Sequence, residues 1–77
     1  MVFCKLIKAN NECAVYTFGN TPDSMPGIVT IYPDDKRFTI EQGTETISEK
    51  TIMRVWMKYK TQIESRLFPE RMSIQIG

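Results

Sequence analysis

No histidine occurs anywhere in these 77 residues. That absence removes the commonest metal ligand and the commonest general base at neutral pH. Cysteine is scarce: Cys4 and Cys13 are the only two, too few thiolates for a structural zinc site. No metal, no cofactor and no catalytic residue is therefore expected. No apolar run approaches the ~20 residues that a membrane-spanning helix requires. The chain opens without the basic, then apolar, then small-residue pattern of a secretory leader. The expectation is a cytoplasmic protein that does not contact membrane. Ten basic residues stand against nine acidic ones, a formal charge of +1, so no global field draws the chain toward nucleic acid.

What remains is one small domain, residues 1–77. A chain of this size buries only about 60% of its unfolded surface, so its core is thin, and chains of this kind lean on a staple or a partner. A disulfide is not expected to be that staple. "KLIKANNECAVYTF" reads as two strands around an Asn10-Asn11 turn, residue types that tolerate hairpin geometry. That register sets Lys8 opposite Cys13 and Cys4 opposite Thr17. The two sulfurs then share a face but lie roughly 13 Å apart along it, beyond bridging range.

Four further segments follow. "GNTPDSMPG", residues 19–27, is a loop by its two prolines and two glycines. It lacks the Gly-Lys-Ser/Thr ending of a phosphate loop and does not lead into a helix. "IVTIY" and "RFTIE" form a second hairpin about Asp34-Asp35. It pairs Tyr32 with Arg37, Ile31 with Phe38, Thr30 with Thr39 and Val29 with Ile40, leaving one face wholly apolar. Adjacent aspartates are read as turn-formers rather than half a metal site. "SEKTIMRVWMKYKTQIESRLFP" is the single helix. Ser48 caps it, Ile47 staples to Ile52, and Phe68-Pro69 ends it. Ile52, Val55, Trp56, Tyr59, Ile63 and Leu67 fall in one arc, the width of a core-facing stripe. Lys50, Arg54 and Lys58 stand on the opposite pole. "MSIQI" alternates as a fifth strand.

The expected fold is α+β: a four- to five-stranded antiparallel meander, order 5-1-2-3-4, with one long helix packed on one face. In that arrangement the first hairpin places Cys4, Leu6, Cys13 and Val15 on one face and Phe3, Lys5, Ile7, Tyr16 and Phe18 on the other. One helix covers only one face. Phe3, Tyr16, Phe18 and Tyr32 are therefore the candidate interface of a non-catalytic interaction module, an apolar patch larger than a monomer normally exposes. Self-association, or docking to another protein, hides it. A rival reading makes the same face a stacking platform for nucleic acid, with Lys5 and Arg37 on phosphates, or uses the basic helix pole of Lys50, Arg54 and Lys58. The sequence carries no RNP-like motif and its charge is balanced, so the protein-partner reading leads.

Overall fold

The computed structural model describes residues 1–75. Five strands form one antiparallel sheet: β1 (Val2–Ala9), β2 (Ala14–Gly19), β3 (Gly27–Tyr32), β4 (Arg37–Gln42) and β5 (Arg71–Ile74). Their order is β4-β3-β2-β1-β5, the expected meander with the last strand paired antiparallel to the first. The expected fifth strand runs on to Ile76, which lies outside the described residues.

The second hairpin has the register read from its alternation, with Tyr32 opposite Arg37 and Val29 opposite Ile40. Lys36 takes the left-handed φ of 51° that lets the turn close, and its N–H donates to the Pro33 carbonyl at 3.1 Å.

The first hairpin departs from expectation. Its turn spans Asn10 to Cys13, because the Asn10 side-chain oxygen accepts from the N–H groups of both Glu12 (2.7 Å) and Cys13 (2.9 Å). Ala9 therefore faces Ala14 and Lys8 faces Val15. A bulge at Ile7 then shifts the pairing to Leu6 with Tyr16 and Cys4 with Phe18. A shift of one residue exchanges the two faces of a strand. Tyr16 and Phe18 thus join Val2, Cys4 and Leu6 on the inner face, and both are wholly buried. Val15 changes sides with them and lies on the outer face, half-buried. Both cysteines are free, as expected; Cys4 is buried and Cys13 half-buried.

The helical segment is two pieces, α1 (Glu49–Lys58) and α2 (Lys60–Glu64), rather than one. Ser48 caps α1, its Oγ accepting from the Thr51 N–H at 3.3 Å, and Ile47 and Ile52 are both buried as a staple requires. At Tyr59 the N–H is shared between the Val55 and Trp56 carbonyls, both at 3.2 Å, a tightened turn that breaks the α-helical run. The chain leaves α2 well before Pro69. Arg66 has φ 64°, with Arg66 N–H donating to Ile63 O (3.1 Å) and Leu67 N–H to Gln62 O (3.0 Å). That is a Schellman closure with arginine in the position glycine usually takes. Leu67, expected on the core-facing arc, is left 72% exposed for this reason.

The core lies between the inner sheet face and the helices. Ile52, Val55, Trp56 and Ile63 meet Tyr16, Phe18, Val29, Ile31 and Met72 in one cluster. Phe18 crosses the Gly27 backbone so closely that a Cβ there would lie 2.4 Å from its ring. The buried Tyr16 hydroxyl is satisfied by donating to the Pro69 carbonyl at 2.6 Å.

Candidate interaction surface

The outer face of the sheet carries no helix. Strand pairing places on it Phe3 and Lys5 of β1 and, beyond the Ile7 bulge, Lys8; Val15 and Thr17 of β2; Ile28, Thr30 and Tyr32 of β3; Arg37 and Thr39 of β4, with Glu41 at a second bulge opposite Ile28; and Arg71 and Ser73 of β5. Phe3, Val15, Ile28 and Tyr32 are half-buried there, while Lys5, Arg37 and Arg71 are exposed. Of the four aromatics expected on this surface, Phe3 and Tyr32 lie on it. Tyr16 and Phe18 do not: the Ile7 bulge turns them inward, where no partner can reach them.

Four cations stand on this face, Lys5, Lys8 and Arg71 on β1 and β5 and Arg37 on β4 at the opposite edge. The Arg37 guanidinium stacks on Tyr32, 4.2 Å from the ring centre, donates to Thr39 Oγ1 at 3.2 Å and sits 3.5 Å from an Asp35 carboxylate oxygen. Lys5 and Arg71 are directly opposed across the β1–β5 pair, a like-charge pairing that costs stability. Among the described residues neither forms an ion pair. They border a cavity of about 260 Å³ whose apolar walls include Phe3, Pro22 and Met25. The 20–26 loop reaches this position because Gly19 lets it fold back, with the Ser24 carbonyl at 2.1 Å from where a Gly19 Cβ would stand. Arg71 was not singled out from sequence. Its signal is there only once strand five is set against strand one in register.

On the helix, Lys50, Arg54 and Lys58 are all exposed, on the pole away from the sheet core. Lys58 is not free for a partner: its Nζ donates to the Ser73 carbonyl at 2.8 Å. Lys58 thus reaches the β5 edge of the sheet, while among the described residues Lys50 and Arg54 make no ion pair with it.

The two sheet edges differ. β5's outer edge is covered by the end of α1, through Lys58 and Tyr59 at Ser73. β4's outer edge has no strand beside it among the described residues. Its inner-face residues Phe38 and Ile40 are only half-buried, whereas Met72 and Ile74 of β5 are fully covered. Phe38 reaches the core at one point, tilted against Trp56 with ring centres 6.4 Å apart.

Burial pushes the Cys4 thiol up to about 12, which keeps it protonated and unreactive at neutral pH. Burial, with the nearby Cys4 thiolate adding repulsion, raises Tyr16 as well. Among the described residues no cluster of three acidic or cysteine side chains could hold a metal ion. Among the described residues no helix is long and apolar enough to cross a membrane. No family model matches this chain, no curated protein is similar to it, and no solved structure matches its fold.

Proposed function

We propose that this chain is a non-catalytic interaction module that self-associates through its sheet. The observation that carries the reading is the one-sided cover: helices close the inner face, while Phe3, Val15, Ile28 and Tyr32 stay half-exposed on the outer one. Because Tyr16 and Phe18 belong to the core, this patch is smaller than four aromatics would make it, and the free β4 edge adds to it. Two free thiols fit a reducing compartment, the cytoplasm. Sedimentation or light scattering across a micromolar range tests the reading. A mass that rises with concentration toward twice 8.9 kDa is expected, and a monomer throughout overturns it.

A second reading, single-stranded nucleic acid on the same face, is favoured by one observation. Lys5 and Arg71 lie side by side without an acid, next to the exposed edge of Phe3. Four cations on an open face predict a log K against log salt slope of about −3 for a single strand. Absence of binding to a mixed-sequence oligonucleotide at low salt retires it.

A further inference from the structure

We infer that two copies of this chain join edge to edge through β4, antiparallel, with Thr39 of each copy on the two-fold axis. The inference rests on the self-association reading and places the contact on the β4 edge, leaving the outer face itself open. Of the sheet's two outer strands, β5 has the edge groups of Ser73 taken by Tyr59 and Lys58. β4 offers six residues, none of them proline and none with a strand beside it among the described residues; a bulge at Glu41, near its end, interrupts its pairing with β3. Such an edge is a template for a further strand unless something blocks it.

The register follows from pairing geometry. In an antiparallel pair, alternate residues point their N–H and C=O groups to one side, so outward-pointing groups must meet outward-pointing groups. A two-fold pairing of identical strands satisfies this only when the axis passes through a residue, not between two. Centred on Phe38, β4 would set Arg37 against Thr39 of the second copy. Centred on Ile40, it would set Thr39 against Glu41. Centred on Thr39, it sets Arg37 against Glu41 and Phe38 against Ile40, each twice by symmetry. Only this register matches opposite charges on the outer face and apolar side chains on the inner one. It also completes the cover that Phe38 and Ile40 lack in one copy. Arg37 exchanges a contact with Asp35 that joins two exposed side chains, and an exposed bond to Thr39 Oγ1, for the pair with Glu41. Among the described residues Glu41 forms no ion pair.

The consequence is a continuous ten-stranded sheet with all helices on one side and both outer faces on the other. Charge exchange tests it. Arg37→Glu alone, or Glu41→Arg alone, puts like charges opposite each other twice and should weaken the dimer about tenfold or more. The double exchange, Arg37→Glu with Glu41→Arg, should restore it. As an independent measurement, Thr39→Cys in a Cys13→Ser background should cross-link two copies on mild oxidation. Opposed residues on the axis lie about 4.5–5.5 Å apart at Cα, within disulfide range. Lys5→Cys, on the outer face away from the edge, should not cross-link. A wild-type dimer indifferent to the charge changes, or one that cross-links at position 5 rather than 39, overturns the edge assignment and leaves self-association standing. A wild-type monomer at high micromolar concentration overturns both.

Discussion

The Tyr59 hydroxyl closes the outer edge of β5 at Ser73, accepting from its N–H at 3.2 Å and donating to its C=O at 3.3 Å. Ser73 is the residue that needs this. Leu6 N–H binds the Glu70 carbonyl at 2.8 Å, so by alternation Met72 and Ile74 turn their polar groups toward β1 and Ser73 turns its own outward. A hydroxyl can donate once and accept twice, so one side chain replaces a missing strand. The break between α1 and α2 falls on the same residue. A helix that puts its end across a strand edge prevents the pairing that β4 still permits.

Tyr59→Phe should therefore destabilise the domain by about 1–2 kcal/mol, because the half-buried Ser73 N–H loses its partner. Lys58 keeps the carbonyl satisfied. Chemical denaturation gives the energy. Hydrogen exchange gives the location: the Ser73 amide should exchange faster while Tyr16 and Val29 amides in the central strands keep their protection relative to global unfolding.

Tyr16 and Phe18 test the register of the first hairpin. Were they on the outer face, lysine there would change assembly and spare the fold. Buried as they are, Phe18→Lys or Tyr16→Lys inserts an unpaired charge into a core with little stability to lose. Both variants should be unfolded by circular dichroism at room temperature. Gly27→Ala probes the same contact more gently. Its Cβ would press into the Phe18 ring, and overpacking of this kind costs about 1–3 kcal/mol.

Alkaline pH should unfold the protein through Cys4. Its thiol ionises near 9.0 when the chain is unfolded and near 12 when folded. The unfolded state therefore loses the proton first, and stability falls as pH rises from about 9 toward 12, by up to about 1.4 kcal/mol per pH unit. Below pH 9 this contribution is fully present. Melting temperatures between pH 8 and 10 should decline, and Cys4→Ala should flatten the decline over that range. In native protein at pH 8 a thiol reagent should label Cys13 and leave Cys4 until the chain opens.

Arg66 combines a strained backbone with useful contacts. Its φ of 64° would suit glycine better. Its side chain donates to the Glu64 carbonyl at 2.7 Å and the Asn11 carbonyl at 3.4 Å, and pairs with Asp34. Arg66→Ala loses the contacts and keeps the strain, and should cost more than Arg66→Gly, with a difference of about 1 kcal/mol. Equal losses in denaturant titrations would mean that the backbone conformation contributes nothing.

Local order was legible where the determining contacts are local. The second hairpin shows this: Val29, Ile31, Phe38 and Ile40 alternate cleanly, and the Asp34-Asp35 turn counts the residues, so pairing and face agree. Ser48 and Ile47 announce the start of α1 within four residues. Chain direction favoured strand one over strand four as the neighbour of strand five without deciding it; the structure decides for strand one. The first hairpin and the end of the helix were not legible. Asn10 closes a longer turn than its neighbour Asn11 suggests, and nothing near Ile7 marks a bulge. The bulge is favoured because it puts Tyr16 and Phe18, rather than Thr17, under the helix, a gain that exists only when the helix is docked. A clue was present: Lys5 and Thr17 are the polar members of their strands and belong together on the wet face. Arg66 takes its left-handed conformation with help from Asp34 and Asn11, which lie in two other turns. Composition and periodicity determined which residues form strands and helix, because burial of apolar area selects those patterns in any compact chain. Which face each strand shows, and which edge stays open, was decided by tertiary structure, because one shifted residue or one hydroxyl reverses the outcome at small energetic cost.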